Sequence, residues 1–448
     1  MIKKLKIKRK NRILVEYINL GFSCKGGKDL MDEYIVGIDI GSSKVCSAAG
    51  KIDKHGRLQI SGVTSVKCSG LKKGVVVDID NVAGAVRNSV EQLSDMLDIS
   101  IESAYISLSG GICELIPNSG IVAISSEDRE ISKRDVQRVL NAAKTISVPA
   151  GKEIIGVIPR QYIIDSYDNI KDPVGMSGVK LEVDSHVILA QTTVVSNLIK
   201  SINKAGINVD GIVLEPLAVS EAAMKKEEIK MGTALIDIGS EKIDISIHKR
   251  NDIVFTETIP LGGSTITNDI SICLKIPFSE AEKLKIKYGS LVQADDVNEE
   301  NIKVNISVNS SIDVNISLLK QIVEARVEEF LQIIEYKLKS SGFYEDVSGI
   351  VIVGGGIALF NGICDFAGQI FNKPVRIGTP EYVGASSPTH NTAVGIIKDV
   401  VNTANISEPH MNNKENYKTK QKNSFDDKHF SEDKGVFSKI KGFLADFF

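Results

Sequence analysis

Apolar residues along this chain alternate first with a period of two, then with a period near 3.6, and the whole succession is run through twice. Residues 34–50 and 57–67 read as strands of a meander. Residues 81–97 carry Val82, Val86, Val90, Leu93 and Leu97 at helical spacing, and 104–108 read as another strand, running into Ser109, Gly110 and Gly111. From 191 to 225 the pattern predicts strand, helix (196–205), strand (211–214) and helix (216–224). At Met231 the hairpin-forming pattern starts again. This order of meander, helix and strand, used twice, predicts a duplicated α/β core.

Two stretches interrupt it. Residues 112–190 alternate short strands (120–124, 180–183) with one amphipathic helix, 132–145, and read as an inserted subdomain. Residues 264–345 read as a second, mostly helical insertion. Its helices fall at 279–288 and 316–340, the latter with Leu319, Ile322, Val323, Val327, Phe330, Leu331, Ile334 and Leu338 on one face.

The duplication is sharpest at one motif. Ile38-Asp39-Ile40-Gly41-Ser42-Ser43-Lys44-Val45 returns 198 residues later as Ile236-Asp237-Ile238-Gly239-Ser240-Glu241-Lys242-Ile243. Each copy follows an apolar run and precedes an alternating one, so each predicts a β-hairpin bent at Gly and Ser. A turn of this kind suits phosphate. Gly41 and Gly239 let a ligand approach the backbone, successive amides form an anion nest, and Ser42, Ser43 and Ser240 add hydroxyl donors. Asp39 and Asp237 cannot hold phosphate themselves; beside it they predict Mg2+, bound through water. Two such turns could close on a triphosphate from both sides. Later, the apolar run 350–353 opens onto Gly354, Gly355 and Gly356 with a helix predicted from about 361, a geometry that also approaches a nucleotide. Neither a G-x-G-x-x-G order nor a G-x-x-x-x-G-K-[ST] loop is present.

The C-terminus carries a different signal. Residues 402–433 are rich in Asn and charge and poor in apolar side chains, and read as a disordered linker. In 434–448, Val436, Phe437, Ile440, Phe443, Leu444, Phe447 and Phe448 fall within an arc of about 140° on a helix, flanked by Lys439 and Lys441. Such a helix predicts binding in a membrane interface, with the lysines at anionic headgroups.

Composition narrows the class. The 448 residues suffice for two or more domains, and 42% apolar with 25% charged residues suits filled cores under a solvated surface. A net charge of −3 gives no global pointer to nucleic acid. The six cysteines (Cys24, Cys46, Cys68, Cys113, Cys273, Cys364) form no C-x-x-C pair, which predicts a reducing compartment and no cysteine metal site. No apolar run approaches the roughly 18 residues of a transmembrane helix. Residues 1–32 form a basic leader with no secretory pattern; the first strand begins near Tyr34, and Met31 reads as the native start.

Taken together, the two D-x-G-S hairpins, the late glycine triplet, Leu214-Glu215-Pro216-Leu217-Ala218 and Thr392-Ala393-Val394-Gly395 resemble the actin, heat-shock chaperone and sugar kinase superfamily. More narrowly, 178–183, Leu261-Gly262-Gly263 with Thr267-Asn268-Asp269-Ile270, 281–285 with Tyr288-Gly289, and Glu324-Ala325-Arg326 resemble the FtsA family of bacterial cell-division proteins. The resemblance covers about 33–400 and the terminal helix. It implies a duplicated actin-like (ribonuclease H-like) two-lobed fold with an ATP cleft. The implied layout is subdomain 1A (33–111, 191–230), inserted subdomain 1C (112–190), subdomain 2A (231–263) and subdomain 2B (264–345), with 346–401 completing 2A and returning to 1A. The linker and membrane-targeting helix follow.

Carried over by motif, the resemblance implies Asp39 and Asp237 for Mg2+, and Gly41, Ser42, Ser43, Lys44, Gly239 and Ser240 for phosphates. It further implies Glu282 and Lys285 near ribose and adenine, Gly354 to Gly356 at the nucleoside, and Glu215 positioning water. The implied partners are the C-terminal tail of FtsZ, with Arg326 as a contact, further copies of the chain, other division proteins and anionic lipids, at the cytoplasmic face of the membrane at the division site. The family's second hairpin usually reads D-x-G-G-G-T-T, whereas Glu241 and Lys242 stand here beside the phosphates. A charged pair at that place predicts ATP binding with slow or negligible turnover, below about 1 per second. The alternatives within the superfamily are a small-molecule kinase, for which no general base is evident, and a pilus- or chaperone-type scaffold.

Overall fold

In the computed structural model, residues 34–292, 301–307 and 310–407 are described. The basic leader, most of the expected linker and the whole terminal helix lie outside these residues.

The first half begins with β1 (Ile35–Ile40), β2 (Lys44–Ile52) and β3 (Leu58–Lys67), an antiparallel meander. A short hairpin, β4 (Leu71–Lys72) and β5 (Val75–Val76), leads to α1 (Ile79–Leu97). Asp78 starts this helix by accepting from the Asn81 amide at 3.0 Å, and a left-handed Asp98 ends it. Val82, Val86, Val90 and Leu93 are its buried face. β6 (Ser103–Leu108) then pairs in parallel with β1.

The inserted unit is a sheet of its own. β7 (Cys113–Ala123), β8 (Lys152–Ile164), β9 (Tyr167–Ile170) and β10 (Lys180–Gln191) lie in the order β7-β10-β8-β9, with α2 (Lys133–Ala143) packed on one face. Ser132 and Asp135 form a reciprocal capping box at the start of α2. The strands are far longer than the short runs expected from the sequence. Pro117 and Pro159 break the hydrophobic reading, yet both are paired within the sheet, and a register shift between Pro159 and Gln161 absorbs one residue. The chain returns through α3 (Thr192–Lys204) to β11 (Asn208–Leu214), parallel to β6, and then through α4 (Glu215–Ala223) and α5 (Lys226–Met231).

The second half repeats the first. β12 (Thr233–Ile238), β13 (Ile243–Lys249) and β14 (Asp252–Ile259) form the meander, followed by α6 (Gly263–Leu274) and α7 (Phe278–Tyr288). The second insertion is not as helical as its sequence suggests: β15 (Asn301–Ser307) and β16 (Ser310–Asn315) form a hairpin ahead of α8 (Ile316–Ser340). α8 buries Leu319, Val323, Val327, Phe330, Leu331, Ile334 and Leu338; each such side chain contributes about 1.5–3 kcal/mol of burial as an upper estimate. β17 (Gly349–Val353), α9 (Ile363–Phe371) and β18 (Val375–Ile377) complete the sheet, and α10 (Asn391–Ser407) closes the fold.

The two main sheets have one topology. The first is β3-β2-β1-β6-β11 and the second β14-β13-β12-β17-β18, so each hairpin motif joins the two central antiparallel strands of its sheet. α10 packs on β1, β2 and α4 around Ile396, Ile397 and Val400. Gly395 permits this crossing, because a Cβ there would stand 1.8 Å from the Ala218 carbonyl oxygen. Residues 402–407, expected to begin the linker, are instead the last turns of α10; Asn402 Nδ2 donates to Glu221 at 2.8 Å and ties them to α4.

Candidate functional site

Strand ends from both sheets meet at one cleft. It encloses about 370 Å³. Asp39, Gly41, Ser42, Ser43 and Lys44 line it from the first hairpin, and Asp237, Gly239, Ser240, Glu241 and Lys242 from the second. The two turns are built alike: the Gly41 amide donates to the Lys44 carbonyl at 2.9 Å, and the Gly239 amide to the Lys242 carbonyl at 2.9 Å. Neither glycine has a left-handed φ; a Cβ would stand 3.1 Å from the Lys44 carbonyl oxygen at Gly41 and 3.4 Å from the Lys242 carbonyl oxygen at Gly239. The second turn is also clamped to the start of α6, since Gly263 and Ser264 amides donate to the carbonyls of Gly239 (3.0 Å) and Ser240 (2.8 Å). This places a helix N-terminus at the cleft wall.

Gly354, Gly355 and Gly356 close the same wall at the end of β17. Gly354 is the position that needs glycine: its φ is +88°, and a Cβ would lie 2.4 Å from Asp237 Oδ1. The Gly356 amide donates to the Ile238 carbonyl at 2.7 Å and the Gly354 amide to the Pro388 carbonyl at 3.0 Å. The glycines are thus threaded between the second hairpin and the loop before α10.

The cleft floor is acidic. Ser107 donates to Asp39 Oδ1 at 2.9 Å. Burial raises the Asp39 pKa; the Ser107 bond and the lysines Lys242 and Lys44 oppose it. Burial and the nearby Glu215, Asp244 and Asp39 raise Asp237 well above the usual carboxylate range, against the pull of Lys242. Glu215, the first residue of α4, is pushed up to about 7 by burial, helped by Asp244 and Asp39 and opposed by Lys242. Lys242 sits among them: its ammonium donates to Glu215, to Asp244 and to Ser109 Oγ. Burial works against its charge, but Asp244 and Glu215 outweigh this and hold it protonated.

Glu282 and Lys285 line the other end, on α7, with Ile286, Leu359 and Phe360 as apolar rim. Lys285 is nearly fully buried, and its ammonium donates to the Gly263 carbonyl (2.9 Å) and Thr267 Oγ1 (2.8 Å) and pairs with Glu282 (2.7 Å). Burial lowers its pKa against that pairing. These two side chains therefore join α6 to α7 as well as facing the cleft.

Comparison with known proteins places this architecture. The sequence profile described as cell division protein FtsA matches residues 234–395, and that of the SHS2 domain inserted in FtsA matches 110–189. The chain is 36% identical to cell division protein FtsA of Bacillus subtilis over 376 residues, which cover 84% of this chain and 85% of that protein. It is 32% identical to the Pseudomonas aeruginosa protein of the same name, over 81% of this chain and 88% of that one.

The chain belongs to the FtsA family.

Among solved structures, the fold resembles the PilM-PilN type IV pilus biogenesis complex (TM-score 0.56, 14% identity, 84% of this chain and 99% of that one). It also resembles MreB 5 of Spiroplasma citri bound to AMPPNP (TM-score 0.50, 13% identity, 84% and 97%). These likenesses show the actin-like fold, and the family match covers the inserted β7–β10 sheet as well as much of the second half.

The charged pair of the second turn, Glu241 and Lys242, is turned away from simple repulsion of a phosphate. Glu241 accepts from the Lys73 amide of the β4–β5 turn at 3.1 Å, while Lys242 is spent on the acidic floor. The donor set also bears on Mg2+. Among the described residues no group of three or more acidic, His or Cys side chains is arranged to hold an ion directly. Yet Asp39 and Asp237 are buried beside further carboxylates and held toward protonation, so a divalent charge held through water fits them.

Arg326 lies elsewhere. It stands on α8, half-buried and ion-paired with Asp269 and Glu329. The membrane-helix residues, from Val436 to Phe448, lie outside the described residues, and no described helix is long and apolar enough to cross a membrane. Sequence reading did not find Asp244, Ser109, Pro388, Thr389 or the apolar rim. Asp244 was discoverable, since it continues the alternation Lys242, Asp244, Ser246; the Lys44 ammonium donating to the Thr389 carbonyl at 3.2 Å spans 345 positions and had no local signal.

Proposed function

We propose that this chain is an ATP-binding, actin-like adaptor of cell division that self-associates and tethers FtsZ filaments to the cytoplasmic membrane through residues 434–448. The observation that carries the nucleotide part is the convergence of two equivalent hairpin turns, a helix N-terminus and the Gly354–Gly356 crossing on one cleft. Phosphates would lie against the two turns, with Ser42, Ser43 and Ser240 as hydroxyl donors. Mg2+, when bound, would neutralise phosphate charge beside Asp39 and Asp237. Family membership supports FtsZ as partner. Arg326 is the candidate contact there, acting through its ion pairs with Asp269 of α6 and Glu329 of α8 rather than as a free cation.

Liposome co-sedimentation of the full chain with ATP and Mg2+ tests the tether, comparing wild type with a Phe443→Asp, Phe447→Asp double variant. Wild type is expected to pellet with anionic more than neutral vesicles and to carry FtsZ down with it, while the variant stays in solution. Equal pelleting of both proteins, or of neither, would remove the terminal helix from the mechanism.

A further inference from the structure

Lys242 lines the cleft, and its surroundings define what it does. A lysine ammonium carries three protons and accepts none. Here three acceptors take them: Ser109 Oγ at 2.8 Å, one carboxylate oxygen of Glu215 and one of Asp244. Ser109 follows β6 and Glu215 opens α4, both in the first half; Asp244 lies on β13 in the second. One side chain thus joins three elements of the two halves.

None of these groups is loose. The Lys242 and Glu215 side chains are each 14% exposed. The second oxygen of Asp244 accepts from the Thr258 hydroxyl. α4 is pinned by α10, whose Gly395 leaves no room for even a methyl group against Ala218. A carboxylate on the first turn of such a helix can leave the ammonium only by giving up a buried ion pair.

We infer that Lys242 is a positioning residue that restrains hydrolysis, by holding Glu215 in a buried clamp that keeps its carboxylate from orienting a water toward the terminal phosphate. This rests on the nucleotide reading above. In the restrained step, water oxygen bonds to the terminal phosphorus and the bond from phosphorus to the β–γ bridging oxygen breaks. ADP keeps that electron pair, and the water's proton passes to the phosphate products or solvent. Orienting the water is the part a free carboxylate would supply.

The test uses the full chain as wild type, Lys242→Thr, Lys242→Arg and Lys242→Thr/Glu215→Gln, each checked by thermal melting. Lys242→Thr/Asp244→Asn serves if Lys242→Thr does not fold, because it also removes the carboxylate left without its cation. ATP binding is measured by equilibrium dialysis with Mg2+, and phosphate release in single-turnover and steady-state assays that separate kcat from KM. We expect Lys242→Thr to bind ATP within about threefold of wild type and to raise kcat about tenfold or more. Lys242→Arg, which keeps a charged multiple donor, is expected to bring the rate back down, as is Glu215→Gln in the Thr background. An unchanged kcat in a Lys242→Thr protein that binds ATP overturns the inference and leaves the nucleotide reading standing. So does a raised kcat indifferent to Glu215→Gln. Wild type that binds no ATP overturns both.

Discussion

Glu215 shows how a residue's behaviour is set by its place. Its carboxyl is pushed to about 7 from an ordinary 4.5. The folded state therefore keeps a proton that the unfolded state has lost, and the stability this gives is fully present below about 4.5 and lost as pH rises through about 7. Between pH 6 and 8 the loss is on the order of 1 kcal/mol for one such group. Buried His248, held down to about 4, acts in the opposite sense and offsets part of the fall near pH 6, while Asp399, raised to about 7 by burial and Glu221, adds to it. Urea unfolding of the nucleotide-free chain at pH 6 and 8 should show wild type losing this stability, and Glu215→Gln should flatten the slope. An equally steep fall in the variant would assign the effect to other groups. The sequence showed Glu215 as part of Leu214-Glu215-Pro216 and Lys242 as a departure from a motif. It did not show that they touch: 27 positions and two halves of the chain separate them, and only the meeting of the sheets brings the ammonium to the carboxylate.

At the scale of elements, legibility followed side-chain periodicity. α1 and α8 were plain because their apolar residues recur every three or four positions and are buried in that order. The β15–β16 hairpin was missed although Ile302, Val304, Ile312 and Val314 alternate; Asn and Ser on the other face dilute the strand signal between two strong helices. In β7 and β8 the prolines hid strands that tolerate them, Pro117 in regular register on an edge strand and Pro159 beside a register shift. The crossing of α4 and α10 was invisible, since the glycine that allows it reads like any helical glycine. Gly395→Ala should therefore cost more than propensity alone, which favours alanine in a helix. With backbone 1.8 Å from the new methyl, the helices must separate, and about 2 kcal/mol or more should be lost in a urea melt. An unchanged or raised midpoint would mean that the crossing can relax at no cost.

The two main sheets of the described residues are one unit used twice, and the candidate cleft lies where they meet. Each sheet supplies a hairpin turn at the same place in the same strand order, and β17 and α6 add the glycines and helix end from the second copy. The inserted β7–β10 sheet has its own core around Val139, Val157 and Val187 and adds nothing to the cleft lining. A ligand seated between the turns should consequently be felt by both halves at once and by the insertion hardly at all. Amide hydrogen exchange with and without ATP and Mg2+ reads this directly. Protection is expected for 41–44, 239–242 and 354–356 together, by up to about a hundredfold at ligand concentrations a hundred times the Kd. Exchange in the β7–β10 strands should stay unchanged. Protection confined to one hairpin would mean that nucleotide engages a single copy of the motif, and the symmetry of the turns would then reflect the duplicated fold rather than a shared phosphate site.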